Sequence, residues 1–589
     1  MASPATTQTD RPLGTLRFDT SGPPELTGVV AEHLRLLGAR TDASGAGATA
    51  LGRTVVTGAD FQPAEAHTAW SSPASEIVDE ATAQAATGIM AVHGRRDGSP
   101  RGLAADYAAT AAAVLTVQGL LAGLLAQARG AAPAPVTTGA DRAGLLAVSQ
   151  YFAATGADEG EAAELDAGGP PFTAADGRLF ELETLDPGAW AAFWRALDAP
   201  ADAIRAGWRP FQFRYATACA PFPAALHRTT RDSGWQRIHQ AASVSGAEVC
   251  ALRTLAERAA EHDGAAPWTL TPHGSGHSSA GITAARPLSG LTVLEAGRRI
   301  QAPLTAHLLR ILGADVIRIE PPGGDPLRGM PPACSGVSAR WLALNRGKQA
   351  VEVDIKAESG RRRLRELAAQ ADVFLHNWAP GKAAELGLDC DDLTAANPAL
   401  VYAYTSGWAG RLADAPMGTD FMVQARTAVG EAVRPADEAP APSLMTLLDV
   451  LGGLLGAEAV LAGLLLRERT GRGVRVDSSL LGAADVLTGP ALRRAARGEE
   501  ARRPAGFRRP LRTADGWVAP ADACAAAAAA YDLRELSTGQ ALAQLRTHGL
   551  TATAVTTDLA DLHHDPRFAG SISRDAHGAP AVPDPWSFA

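Results

Sequence analysis

The chain has 589 residues, a formal charge of −9, 46% hydrophobic and 20% charged residues. That length points to roughly two to four domains, and the acidic balance leaves no basic footprint for nucleic acid. Five scattered cysteines (Cys219, Cys250, Cys334, Cys390 and Cys524) with no CxxC argue against a zinc or disulfide framework and fit a reducing cytoplasm.

The chain opens on MASPATTQTDRPLG, polar and without an apolar signal region. Residues 13–39 then read strand, loop, helix. Tyr107 to Ala128 is uncharged and long enough to span a bilayer. Its Ala/Thr content, and a later counterpart carrying Glu458, make it a buried core helix instead. A loop is expected at Gly130 to Val136 and a linker at Gly264 to Pro287.

From there the chain repeats itself. Residues 288–314 match 13–39, ending in the same Leu-Gly-Ala; Asp420 to Gln424 matches Glu80 to Gln84. Residues 460–471 resemble 119–130, 508–520 resemble 170–182, and 548–561 echo 245–257. Matches kept in one order indicate a duplication. The second copy holds extra material, DVIRIEPP, QAVEVDIK, a helix from Ser359 to Gln370, DVFLHNW and ALVYAYTSG. Short strands alternating with helices predict a doubly wound parallel sheet, a Rossmann-like half that the first copy has largely lost. The expected organisation is therefore a shortened copy over 1–263, a linker over 264–287, a Rossmann-like part over 288–485 and a small domain over 486–589.

Asp449 begins a long apolar helix that Arg467, Glu468, Arg469 and Gly471 close. Two readings stand side by side. Asp449 is an N-cap, its short carboxylate satisfying orphan amides, or it is a carboxylate kept ionised by the helix N-terminus and used as a nucleophile. Beyond the carboxyl ends of the predicted strands, where such sheets bind ligands, lie Gln301, the loop PPGGDPLRG with Arg328, Asn345-Arg346-Gly347-Lys348, and Asn377 with Gly381. Gly-rich backbone with Arg and Lys suits phosphates, although no GxGxxG is present. The same charges also read as solvated loop residues. His273 with His277, and His563 with His564, lack a third ligand nearby for a metal.

The ordered run GLTVLEAG, LLRILGADVIRIEPPGGDPLRG, LNRGKQAVEVDIK, ADVFLHNWAPGKAAELGL, NPALVYAYTSGWAG and LLAGLLLRERTGRGVRVDSSLLGA resembles the family III CoA-transferases, the CaiB/BaiF group, over most of 288–485. The first half resembles a second, shortened member. The resemblance implies CoA transfer between an acyl-CoA and a small carboxylic acid, without a metal, by covalent catalysis on an aspartate at the position of Asp449. It further implies Gln301 near the reacting carbonyl, Asp420 lining the pocket, and CoA contacts at Ile300, Arg328, Asn345, Arg346, Lys348, Asn377 and Gly381. In the racemase branch a Gly-His-Asp supplies a base where this chain has Gly418-Thr419-Asp420, without the histidine; the alternative readings are a CoA-thioester racemase or isomerase with Asp420 as base, or a degenerate, non-catalytic CoA-binding or scaffold protein. Known members are interlocked dimers with a Rossmann-like parallel-sheet large domain and a smaller domain, which implies an α/β large domain with a smaller α+β domain here; the first copy is then either a partner subunit fused in cis, making an intramolecular pseudo-dimer, or a decayed structural copy, with a homodimer as the other assembly. Neither a membrane nor a nucleic-acid partner is expected, and the cytoplasm is the expected compartment.

Overall fold

Each copy of the repeat builds its own sheet, and each sheet borrows one strand from the other copy. The computed structural model describes residues 11–42, 51–72, 75–274 and 286–589. In the first copy, β1 (Arg17–Ser21), α1 (Pro24–Leu36) and β2 (Arg40–Thr41) form a strand–helix–strand unit. The antiparallel hairpin β3 (Gly52–Gly58) and β4 (Phe61–Ala69) follows, then α2 (Glu80–Ala86), α3 (Tyr107–Ala128) and β5 (Val136–Gly139). A small antiparallel sheet comes next, β6 (Phe172–Thr173), β7 (Leu179–Glu183) and β8 (Glu248–Ala251), and then β9 (Trp268–His273).

The second copy runs β10 (Thr292–Ala296), α4 (Gln301–Ile311), β11 (Asp315–Glu320), β12 (Gln349–Glu352), β13 (Val373–His376) and β14 (Val401–Ser406). It continues with α5 (Asp420–Arg426), α6 (Leu447–Thr470) and β15 (Gly473–Ser479). Its small sheet is β16 (Leu511–Arg512), β17 (Trp517–Pro520) and β18 (Ala552–Ala554), and β19 (Trp586–Phe588) ends the described structure of this copy.

The second sheet has the order β12-β11-β10-β13-β14-β15-β9, parallel throughout except for β9. This is the doubly wound succession in which the strand order reverses beside the first strand, and the α/β reading of the sequence holds. Short apolar strands such as Val373–His376, buried along their whole length, suit a sheet covered on both faces. The first sheet, β2-β1-β3-β4-β5-β19, keeps the same spatial succession with β3 reversed against both neighbours. A local hairpin takes the place of the long crossovers, which is how the first copy is shorter.

Two edges are exchanged between the copies. β9 follows the small sheet of copy 1 and pairs antiparallel with β15 of copy 2, Thr269 opposite Asp477. β19 follows the small sheet of copy 2 and pairs antiparallel with β5 of copy 1, Trp586 opposite Thr138. Part of the stretch read as a linker is therefore an edge strand. Its Gly/Pro/Ser flanks read as loop, and its register comes from β15, far away in the chain. His277, from the same stretch, lies outside the described residues. The small sheets cross over too: β7 and β8 pack on α5, and β17 and β18 pack on α2.

At the centre α3 and α6 lie against each other. Both are long and apolar enough to cross a membrane, and 94% of the most apolar window of each is buried inside the protein, as a core helix requires. Glu458 sits fully buried in α6 and accepts from His33 Nδ1 at 3.0 Å and Trp268 Nε1 at 3.2 Å. Burial opposes a charge on His33, yet the Glu458 carboxylate raises its pKa above the ordinary value. This ion pair joins α1 of one copy to α6 of the other.

Candidate active site

The first turn of α6 is placed by its glycines. Gly453 and Gly456 let α4 approach closely: a Cβ at Gly456 would stand 2.5 Å from Thr305 Oγ1. Gly456 also faces Thr405 at the end of β14, while Gly463 faces Val401 at its start. The N-terminus of α6 therefore stands at the carboxyl edge of the parallel sheet, where ligands bind in such folds.

Asp449 is the third residue of α6, whose N-cap is Thr446 at φ 54°, without a side-chain cap of its own. The capping reading of Asp449 is thus not the one the structure adopts. The cap comes from Asp420, the first residue of α5: its Oδ2 accepts from the backbone N–H of Asp449 at 2.7 Å, and its Oδ1 accepts from Gln424 Nε2. A carboxylate at a helix N-terminus is stabilised by the orphan amides, which leaves the Asp449 side chain out of the cap. Asp420 is 4% exposed, and burial pushes its carboxyl up to about 6 against its amide donors. Burial and then the Asp420 charge push Asp449 well above the ordinary carboxylate range, while Arg299 pulls the other way. Because the N–H groups of Gln424, Leu448 and Asp449 favour charge on Asp420, Asp449 is the member of the pair that sheds its proton second.

Gln301 opens α4 and is 4% exposed. It caps no helix; its amide points toward Ser406 O at 3.5 Å, and a Cβ on Gly452 would meet its Nε2 at 2.9 Å. Gly452 follows Asp449 by three residues, on the same helix face, so the amide and the carboxylate border one space. Ile300, 3% exposed, is the N-cap position of α4.

At the switch between β10 and β13, Asn377 grips the backbone of Arg298 on both sides, accepting from its N–H and donating to its carbonyl, each at 2.9 Å. This fixes the turn that presents the exposed Arg298 and Arg299, the latter at φ 63°. Gly381, at φ 77°, precedes the short helix Lys382–Glu385. Two of the basic residues singled out from the sequence, Arg328 and Lys348, have protein partners, while Arg346 Nη1 is buried without one among the described residues. Arg328 pairs with Glu320 at 2.8 Å and lies over the Trp341 ring. Lys348 Nζ is buried on Glu295 at 2.7 Å, Pro303 O and Asn345 Oδ1, and burial lowers its pKa to about 8. Asn345 in turn donates to Trp341 O, and burial also lowers the pKa of Arg346.

Several neighbours of Asp449 come from copy 1 and carry no signal in the sequence. Tyr107 Oη donates to Leu447 O at 2.9 Å, and Tyr151 Oη donates to Tyr215 O at 3.1 Å. Tyr215 lies under Arg299, 5.9 Å from ring to guanidinium. Glu183, at the end of β7, accepts from Thr419 Oγ1 at 2.8 Å.

The matching place in copy 1 is built differently. Glu80 stands where Asp420 does and accepts from the N–H groups of Ala108 and Ala109, both at 2.8 Å. Ala109 therefore occupies the position of Asp449, and Asp106 lies a helical turn earlier, at the position of Thr446. Arg508, from the small domain of copy 2, is buried there between Asp106 and Asp522 and donates to the carbonyls of Leu103 and Ala105. Burial raises Glu80 to about 7, opposed by Arg508.

A cavity of about 690 Å³ lies elsewhere, lined by Glu248, Cys250, Arg253 and Arg426 among others, and Asp449 is not in its lining. Among the described residues, the side chains grouped closely enough to hold a metal are His262, Asp263 and Asp485. Arg258 and Arg411 already engage those carboxylates. His273 lies in β9, and His563 contacts the Phe152 ring.

A family model, CoA-transferase family III, matches residues 72–282 and 288–570, one segment in each copy. The chain is similar to a succinyl-CoA:glutarate CoA-transferase of Mus musculus, 36% identical over 202 residues, 33% of this chain and 46% of that protein. It is similar to a probable fatty acyl-CoA transferase of Mycobacterium tuberculosis, 36% identical over 194 residues, 32% of this chain and 48% of that one. The beta subunit of a succinyl-CoA–L-malate CoA-transferase of Chloroflexus aurantiacus is 36% identical over 207 residues, 34% and 50%. The chain thus spans about half the length of the curated relatives it matches. Among solved structures, a CaiB/BaiF family protein from Brucella suis aligns with TM-score 0.46 and 28% identity, covering 50% of this chain and 91% of that one.

Proposed function

The chain belongs to CoA-transferase family III, and from that premise we propose that it moves CoA from an acyl-CoA to a small carboxylic acid with Asp449 as the nucleophile. The observation that carries this is the division of labour at the start of α6: Asp420 caps the helix and Asp449 is left unused by the fold. The Asp449 carboxylate attacks the thioester carbonyl; the C–S bond breaks, giving a mixed anhydride and CoA thiolate. The thiolate attacks the Asp449 carbonyl, releases the donor acid as its carboxylate and leaves an aspartyl-CoA thioester. The acceptor carboxylate then attacks that thioester, and the expelled thiolate takes the acceptor acyl group from the resulting anhydride, which frees Asp449. Each step exchanges one acyl bond for another, so covalent catalysis divides a hard transfer into easier ones. Gln301 donates to the oxyanion that forms at each carbonyl.

CoA is proposed to lie across the carboxyl ends of β10 and β13, touching Ile300, Arg328, Asn345, Arg346, Lys348, Asn377 and Gly381. The glutarate and malate in the names of the relatives, and the exposed Arg299, favour a small dicarboxylic acid. The interlocked sheets support an intramolecular pseudo-dimer with one working site, and the cytoplasm remains the proposed compartment. Racemase chemistry with Asp420 as base is disfavoured, since both its oxygens are engaged in the cap.

The test is to incubate the chain with succinyl-CoA without an acceptor, quench in acid and analyse the Asp449 peptide by mass spectrometry. A CoA thioester on Asp449, lost in Asp449→Asn, supports the reading. Transfer that proceeds in Asp449→Asn overturns it.

A further inference from the structure

Copy 1 has an alanine where its nucleophile would stand and, among the described residues, lacks a counterpart of β12, yet its small domain keeps a full antiparallel sheet pressed onto α5 of copy 2. One residue explains what that contact does. Glu183 ends β7 and is 4% exposed. Its Oε2 accepts from Thr419 Oγ1 at 2.8 Å, and its Oε1 pairs with Arg214 Nη2 at 3.0 Å. Arg214 in turn lies over the ring of Phe421, 4.9 Å from its centroid. Thr419 precedes Asp420 and Phe421 follows it, so the Glu183–Arg214 pair grips the capping aspartate on both sides from the other copy.

We propose that Glu183 is a positioning residue for the transfer reaction, holding Thr419 and Asp420 against the start of α6 and setting its own negative charge beside the Asp420–Asp449 pair. This rests on Asp449 being the nucleophile. A more basic carboxylate is a better nucleophile once ionised, and a like charge nearby is the simplest way to make one. The charged groups facing Asp449 are Asp420 and Glu183, with Arg299 opposing them; Tyr107 adds a neutral phenol. Those facing Glu183 are Arg214 and, two residues back on the same strand face, Glu181, whose buried oxygens have no hydrogen-bond partner. Burial raises Glu181 to about 8, so it is a neutral neighbour at neutral pH. Copy 1 would then be retained for the charge and the grip it delivers to the site of copy 2.

The test reads Asp449 directly and needs no substrate. The full chain is treated with a water-soluble carbodiimide and glycinamide across pH 4.5–7.5, and labelling of the Asp449 peptide is measured by mass spectrometry, because carbodiimides activate the protonated carboxyl. The midpoint belongs to the Asp420–Asp449 pair. Glu183→Gln should lower it, and Arg214→Met, which leaves Glu183 uncompensated, should raise it. A merely structural role does not move the two variants in opposite directions. Should Glu183→Gln not fold with Arg214 stranded, the double variant Glu183→Gln/Arg214→Met removes both charges and should still lower the midpoint. A midpoint unchanged in a folded charge-removing variant overturns the proposal and leaves the transferase reading intact. A shifted midpoint in a chain that forms no adduct from succinyl-CoA supports the electrostatic role while counting against Asp449 as nucleophile.

Discussion

Replacing Asp449 by asparagine should abolish transfer and stabilise the protein at the same time. Two carboxylates share the start of α6, and the fold needs only the Asp420 cap. Asp420 at about 6 against an ordinary 3.8 corresponds to about 3 kcal/mol withheld from stability above neutral pH, at about 1.4 kcal/mol per pKa unit. That rise comes from burial and then from Glu183, which the Asp449→Asn change does not relieve; what it removes is the Asp449 charge, itself opposed by burial and by Asp420, for an expected gain of about 1–3 kcal/mol. Both folded-state pKa values lie above the unfolded one. The destabilisation is therefore present above the folded values, fades as pH falls through them, and is gone once both carboxyls are protonated in either state. Differential scanning fluorimetry at pH 8 should show the Asp449→Asn variant melting about 1–3 °C above the parent, a small rise because the chain is large. At pH 4.5 the two curves should nearly coincide. A variant that melts lower at pH 8, or one that gains equally at both pH values, refutes the account of Asp449 as a strained, functional carboxylate.

Other outcomes follow from the same geometry. Gln301→Ala should lower kcat by about 10²–10³ in a continuous assay while the aspartyl-CoA adduct still forms slowly. His33→Ala leaves Glu458 buried without its ion-pair partner and should cost about 3–5 kcal/mol; since the His33 pKa is raised, the pair's contribution is full below the ordinary histidine value and is lost as pH rises through the raised one, which pH-dependent melting will show. Expression of residues 264–589 alone should yield aggregated protein, because β19 loses β5 and Glu458 loses His33; a soluble, active fragment would mean that copy 1 is dispensable. Quantitative mass spectrometry should find at most one CoA adduct per chain, on Asp449, and Ala109→Asp should not create a second.

Much of the second copy is legible in the sequence because its signals are local. Strands such as DVIRIE and VFLH are short apolar runs between helices, and they fold into the doubly wound order that such alternation implies. Asp449 and Asp420 are recognisable as candidates, but which of them caps α6 is not: that depends on how α5 docks, not on the helix's own sequence. The register of α3 against α6 is blurred because both are runs of Ala, Gly and Leu, and only the hydrogen bonds of Glu80 put Ala109 opposite the nucleophile's place. β9 reads as linker since WTLTPH has weak alternation and pairs only with β15. The carboxylates holding Lys348 and Arg328, and the reach of Glu183 to Thr419 across 236 residues, arise from tertiary packing alone.

The exchange of β9 and β19 between the sheets has a consequence for how this protein varies. In a two-fold homodimer every substitution is made twice, so a change that helps one surface must be tolerated at its mate. Here the two halves of the pseudo-two-fold lie on one chain and are written separately. The partner of His33 is Glu458, while α3 holds Gln118 facing the other way across the helix pair, donating to Leu454 O at 2.7 Å. One of the two matching places is filled by Arg508 and its carboxylates, and the other leaves Asp449 outside the cap. On one chain the two copies are free to differ, and here they do: a carboxylate stands at the third residue of α6 where α3 has Ala109.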